Sequence, residues 1–166
     1  MSRTLVTSAL PYANGPIHFG HVVGAYLPAD VYVRTLRLCG EEALFVCGTD
    51  EYGVAITIGA EREGVPYPEY VARWHDEIHR TFDRLGIEFD IFSGTSTCAH
   101  HAETAQEFFH RLDANGFLQK RETEQLYSES RSRFLADRYV VGRCPKCDFA
   151  EARGDECPSC GNWLDP

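Results

Sequence analysis

Four cysteines within seventeen residues constrain this chain more than any other feature. The segment CPKCDFAEARGDECPSC carries Cys144-x2-Cys147 and, nine residues further on, Cys157-x2-Cys160. Thiolates two residues apart can grip one ion from a tight turn, and two such turns complete the tetrahedron that Zn²⁺ prefers. Pro145 and Pro158 stiffen the knuckles, and Gly161 supplies a tight turn after the last cysteine. The doubled pair with its short polar link favours zinc; four unmetallated thiols, two redox pairs and a rubredoxin-type iron site are the alternatives. Four protein ligands leave no open coordination position, so such a metal is structural. It holds residues 140 to 166 together and leaves the reaction unspecified.

The other three of the seven cysteines, Cys39, Cys47 and Cys98, lie in apolar stretches, where a buried thiol behaves as a small hydrophobe. This distribution suits a reducing compartment rather than a disulfide framework. The N-terminus MSRTLVTSALPYANG has no apolar segment of signal-peptide length, and no run reaches the roughly 18 apolar residues of a membrane span. A cytoplasmic protein without a membrane partner is expected. A net charge of -9 and a pI near 5.2 exclude a broad basic face for coating DNA, while a local contact with RNA stays open.

The chain reads as an α/β protein. TLVTSAL (4–10) is β-branched and apolar, a buried strand. After a Pro/Asn/Gly turn, a helical stretch runs from about Ile17 to Cys39. Val22, Tyr26, Ala29, Val33 and Leu36 point inward and Gly40 is the stop, with Pro28 kinking or splitting it. ALFVC (43–47) is a second buried strand that ends in GTDEYG. Strand, helix and strand at this spacing predict a parallel βαβ unit. PYPEYVARWHDEIHRTFDRLG is an amphipathic helix with Val71, Trp74, Ile78, Phe82 and Leu85 on one face, closed by Gly86. FDIFS (89–93) is a third strand. HHAETAQEFFHRLDANG (100–116) is a further helix with Ala105, Phe108, Phe109 and Leu112 inward. Beyond Gly116 the helical period disappears and short strands and turns are expected, so a domain boundary is placed near residue 116.

In a βαβ unit, ligands bind beyond the C-terminal ends of the strands. TLVTSAL runs into PYANGPIHFGH at that edge. His18 and His21, at i and i+3, face the same way on the first helical turn. Two imidazole donors there suit a polyphosphate and the charge that develops when it is cleaved. Gly20 leaves bare backbone for a flat ring such as adenine to approach. A helix start that happens to carry two histidines is the plainer alternative. The other five histidines, His75, His79, His100, His101 and His110, lie on predicted helices; His75 and His79, at i and i+4, have the spacing of a metal pair but lack a third ligand nearby and are read as part of a solvated face.

These residues together resemble a known family. TSALPYANGPIHFGH is similar to the opening of the methionyl-tRNA synthetases, class I aminoacyl-tRNA synthetases, with HFGH standing as their HIGH motif. The resemblance continues through LPADVYVRTLRLCG, FVCGTDEYG, FLADRYVVGRCPKC and the zinc knuckle, in the family's order. It implies a Rossmann-like nucleotide-binding fold, with residues 1–116 as the first half of the catalytic domain. Residues 117–166 are then the start of the connective insertion that carries the structural zinc. It implies that His18, Gly20 and His21 bind ATP, supplied with its magnesium, and that the two histidines stabilise the transition state as methionine's carboxylate attacks the α-phosphate. It implies that Leu10 and Tyr12 line the methionine pocket and that Asp50 holds the substrate's α-ammonium. An ordinary packed aromatic at Tyr12 and a helix-capping carboxylate at Asp50 are the competing readings. Methionine, ATP and the tRNA for methionine are the implied partners.

The chain departs from the family in two ways. Phe19 stands where Leu or Ile is usual between the first histidine and the glycine, which should only repack the helix. The second signature of the class, KMSKS, is absent. The two lysines, Lys120 and Lys146, sit in no such motif. The expectation is therefore an amino-terminal portion that alone does not activate methionine at a useful rate. A non-catalytic paralogue that keeps the nucleotide or methionine pocket is the alternative, and a zinc-ribbon nucleic-acid module a weaker one.

Overall fold

The computed structural model describes residues 3–164. The chain divides into two compact units, Met1–Arg111 and Leu112–Pro166. In the first, β1 (Arg3–Thr7) leads through an irregular loop to α1 (Phe19–His21), a π-helical turn (Val22–Tyr26) and α2 (Leu27–Leu38). Then follow β2 (Glu42–Thr49), α3 (Val54–Glu63), α4 (Tyr67–Leu85) and β3 (Ile91–Gly94). The three strands form one parallel sheet in the order β1-β2-β3, with Leu5 opposite Leu44 and Val46 opposite Ile91. The expected α/β architecture with a parallel βαβ unit is present.

One face of the sheet carries the core. Phe45 and Cys47 alternate inward from β2 and meet Val33 of α2, Ile78 and Phe82 of α4, and Tyr26 and Ile87. Each of the large side chains contributes roughly 1.5–3 kcal/mol by leaving water. A second cluster joins α3 to α4 through Ile56, Ala60, Tyr70 and Val71, and gathers Ala13 from the loop after β1.

Several expectations need correction. The first strand stops at Thr7 rather than residue 10, and Leu5 on it is 64% exposed. β1 alternates between half-covered and open positions, and β2 alternates only at its start before Cys47, Gly48 and Thr49 are buried in succession, so burial on both faces is confined to the end of β2. The helix expected over 17–39 splits, as Pro28 required. Leu27 N–H reaches back five residues to Val22 O, and α2 starts with Pro28 in its first turn, where no intrahelical donor is needed. α3 has no counterpart in the sequence reading; its alternating small and branched residues give a weak helical stripe. Leu85, at the end of α4, is exposed rather than inward. α4 does end at Gly86, whose φ of +67° is the left-handed stop that favours glycine.

α5 (His101–Ala114) carries no buried residue, and Ala105, Phe108, Phe109 and Leu112 are all exposed. The amphipathic period was real, but among the described residues nothing covers that stripe. Cys39 and Cys98 are likewise exposed, and only Cys47 acts as the buried small hydrophobe.

The second unit is built from two-residue strands. β4 (Tyr127–Ser128) pairs antiparallel with β5 (Arg133–Phe134). After a 3₁₀ turn (Asp137–Tyr139), β6 (Val141–Gly142) pairs antiparallel with β7 (Ala152–Arg153). Its buried cluster is Cys144, Ala152 and Cys157, with Leu164 against it. Among the described residues no helix is long and apolar enough to cross a membrane.

Candidate functional site

The loop after β1 is tied to the end of β2. Asp50 N–H donates to Pro11 O at 2.8 Å, and Ala13 N–H donates to Asp50 O at 2.8 Å, a bridge that prolongs the parallel ladder past β1. Tyr26 adds a second anchor by donating its hydroxyl to Ala9 O at 2.9 Å. Burial, with the Cys47 thiol as a smaller contribution, pushes this phenol up to about 12, so it stays a donor. The anchored loop and the first helical turn enclose a cavity of about 340 Å³, lined among others by Leu10, Tyr12, Gly20, His21 and Tyr26. That volume falls in the roughly 300–1,000 Å³ range of small-molecule sites.

His18 and His21 stack, ring centroids 3.8 Å apart and planes 19° from parallel, so the i, i+3 pairing puts both imidazoles on one side of the turn. His21 Nδ1 accepts from His18 N–H at 3.2 Å, which leaves Nε2 as its donor. A Cβ at Gly20 would stand 3.0 Å from the His18 ring, so the glycine lets the ring lie against the backbone. Of the residues singled out from sequence, the structure brings Leu10, Tyr12, Gly20 and His21 to one cavity. His18 reaches it only through its stack on His21, and Asp50 through its backbone bridge to the loop. Tyr12 is more than half exposed, so it is not an ordinary packed aromatic. Asp50 does not cap a helix; Oδ1 accepts from Tyr52 N–H at 3.1 Å, and α3 begins after Gly53.

Next to Asp50 lies a polar cluster that the sequence reading missed. Glu51 is 5% exposed and Thr49 fully buried. Glu51 Oε1 accepts from the Thr49 hydroxyl at 3.0 Å, and Oε2 accepts from Ser96 N–H at 2.9 Å and from the Ser96 hydroxyl. His75 Nδ1 lies 2.7 Å from Thr49 Oγ1 and 3.6 Å from Glu51 Oε1. His75 therefore belongs to the interior of this cluster rather than a solvated face. The signal was available, because His75 falls between Val71, Ile78 and Phe82 on the buried stripe of α4. His79, by contrast, stacks on Phe92 at the rim.

In the second unit the sulfurs of Cys144, Cys147, Cys157 and Cys160 all lie within 4.8 Å of one another and form a set able to hold one metal ion. Two opposite edges measure 3.9 Å (Cys144–Cys160) and 3.6 Å (Cys147–Cys157). Cys144 and Cys157 are buried and their partners exposed, so the cluster forms the unit's core from one side. The Cys147 backbone N–H, helped by that of Lys146 and opposed by burial, brings the Cys144 thiol down to about 7.

Residues 4–166 match the family described as tRNA synthetases class I (M). The chain belongs to the class I (M) tRNA synthetases. A methionine–tRNA ligase of Chlamydia pneumoniae is 57% identical over 159 residues, 96% of this chain and 29% of that enzyme. One of Rubrobacter xylanophilus is 55% identical over 98% of the chain and 28% of the enzyme. Among solved structures, the Mycobacterium tuberculosis methionyl-tRNA synthetase in complex with methionyl-adenylate superposes with a TM-score of 0.74 at 28% identity, over 98% of this chain and 30% of that one. The chain thus spans a little under a third of the length of these synthetases. Its parallel sheet and four-cysteine cluster both lie within the class I match.

Proposed function

We propose that this chain supplies the methionine-binding and part of the ATP-binding surface of a cytoplasmic methionine–tRNA ligase. In that reaction a carboxylate oxygen of methionine attacks the α-phosphorus of ATP, pyrophosphate leaves, and methionyl-adenylate forms. A ribose hydroxyl at the end of the tRNA then attacks the methionyl carbonyl and releases AMP. The observation that carries the reading is His21, with His18 stacked on it, on the wall of the cavity that Leu10 and Tyr12 line.

The roles follow from the side chains. The imidazoles, with Nε2 of His21 free to donate, stabilise negative charge that builds on the phosphates at the moment of attack. Gly20 serves ATP binding from the cavity wall, its missing side chain making room for the His18 imidazole against the turn. Leu10 and the aromatic face of Tyr12 suit a polarisable thioether. Asp50, with Oδ1 engaged by Tyr52 N–H, has Oδ2 for the α-ammonium.

The metal of the cysteine cluster is zinc on this reading. Two opposite edges of 3.6 and 3.9 Å, with all four sulfurs within 4.8 Å of one another, fit one ion held between four thiolates, the closed donor set of structural zinc. Cys144, Cys147, Cys157 and Cys160 would all hold it, and the ion supplies cohesion to a unit whose hydrophobic cluster, among the described residues, adds only Ala152 and the partly buried Leu164 to its cysteines. Residues 1–116 act as the first half of the catalytic domain, and 117–166 as part of the connective insertion. Charging assays test the whole reading. The full-length protein should attach methionine, and no other amino acid, to tRNA in the presence of ATP and magnesium; a protein that charges none would overturn it.

A further inference from the structure

A buried carboxylate is costly unless it is fully engaged, and Glu51 sits one residue from the aspartate assigned to the substrate. We propose that Glu51 is a positioning residue that sets the place of Asp50; the inference rests on the function proposed above. The Asp50–Glu51 peptide is held from both sides. On one, the Asp50 N–H and C=O bond Pro11 and Ala13 of the cavity loop. On the other, Glu51 N–H donates to Thr95 Oγ1 at 2.9 Å, while the Glu51 carboxylate takes both the N–H and the hydroxyl of Ser96. Glu51 thereby pins the end of β2 to the turn after β3, and Asp50 is the link between that turn and the loop carrying Leu10 and Tyr12.

The surroundings are shaped for this carboxylate. A Cβ at Gly94 would stand 2.1 Å from Glu51 Oε1, so the last residue of β3 has to be bare. Thr49, with its single proton on Glu51, accepts from His75 Nδ1, which orders the remaining oxygen. Every charged or polar contact of Glu51 points to the scaffold and none to the cavity, whose lining does not include it. Such a group acts on substrate only through its neighbour. A displacement of Asp50 by even about an ångström is enough to weaken a charge-assisted contact severely.

The test is the kinetics of methionine-dependent ATP–pyrophosphate exchange in the full-length protein. Glu51→Ala should raise KM for methionine roughly ten- to hundred-fold, with KM for ATP within about twofold of wild type. Glu51→Gln should restore most of the loss. Its amide oxygen can still accept from Ser96, and its NH₂ can face Thr49 once that hydroxyl turns its proton to His75. Because Glu51 acts through Asp50, the double variant Asp50→Asn, Glu51→Ala should be no worse than Asp50→Asn alone. Should Glu51→Ala fail to fold, Thr95→Val removes only the acceptor of Glu51 N–H and should raise the methionine KM alone. A merely structural role would lower the amount of active enzyme and leave both KM values unmoved, and that result, or additive losses in the double variant, overturns the proposal. Absence of methionine-dependent exchange in the wild-type protein would instead overturn the proposed function.

Discussion

Replacing Cys157 by serine attacks the second unit at the ligand it buries most completely. Cys157 is 0% exposed, its sulfur is 3.6 Å from that of Cys147, and its backbone N–H and C=O bond Asn162 and Gly161 across the knuckle. A serine hydroxyl there does not ionise at neutral pH, so one of four anionic ligands is lost. Structural zinc sites of this kind hold apparent free energies of about 10–16 kcal/mol at pH 7, so a quarter of that is on the order of 3 kcal/mol. The substitution should therefore weaken zinc binding roughly a hundredfold. Competition with a chromogenic chelator, with the metal content of the purified protein, measures it: about one zinc per chain in the wild type, and early release from Cys157→Ser. Limited proteolysis should then cut within 140–164 while the β1–β3 sheet resists. Cys98→Ser, outside the cluster, should leave zinc untouched. Unchanged zinc affinity in Cys157→Ser would refute the four-sulfur site.

Four further outcomes follow from the first unit. Phe82, fully buried against Tyr26, Phe89 and Phe92, should cost about 3–5 kcal/mol of unfolding free energy as Phe82→Ala in denaturant titration. Gly48→Ala should destabilise markedly, because its Cβ would fall 2.0 Å from Ser93 O on the paired strand, where neither backbone can yield; unchanged melting would show that β2 and β3 are not paired in this register. Burial raises the Cys47 thiol to about 11 and the Tyr26 phenol to about 12, so the folded state holds more protons than the unfolded one above about pH 9. That stability is fully present below pH 9 and is lost as pH rises through 11 to 12. Correspondingly, alkylation at pH 8 should label Cys39 and Cys98 before Cys47.

What was legible in the sequence was whatever a short stretch decides for itself. The 71, 74, 78, 82 stripe of α4, the glycine stops at Gly40, Gly86 and Gly116, and the break at Pro28 depend on neighbours within a turn or two, and the structure shows each. The doubled C-x2-C needed no more than its spacing. What failed depends on what lies across space. Leu5, Phe108 and Phe109 carry apolar periods without a covering partner among the described residues, and periodicity cannot report who stands opposite. Glu51 and His75 were passed over because each looks like a surface residue in its own segment. Only when β2, α4 and the turn after β3 converge do Thr49, Glu51, His75 and Ser96 become one buried cluster. The stacking of His18 on His21 was foreseeable from i, i+3 spacing; its place beside Leu10 and Tyr12 required the bridge between Tyr12 and Asp50.

The measurement that bears most directly on the account is methionine-dependent ATP–pyrophosphate exchange by the full-length protein, comparing wild type with His18→Ala and His21→Ala. If the stacked pair stabilises charge on the phosphates during attack, each variant should lose roughly a hundredfold or more in kcat, the scale of one removed charge-stabilising donor. Zinc content and melting temperature should stay at wild-type values. Exchange that persists at the wild-type rate in both variants would contradict the central claim that these two histidines serve the chemistry.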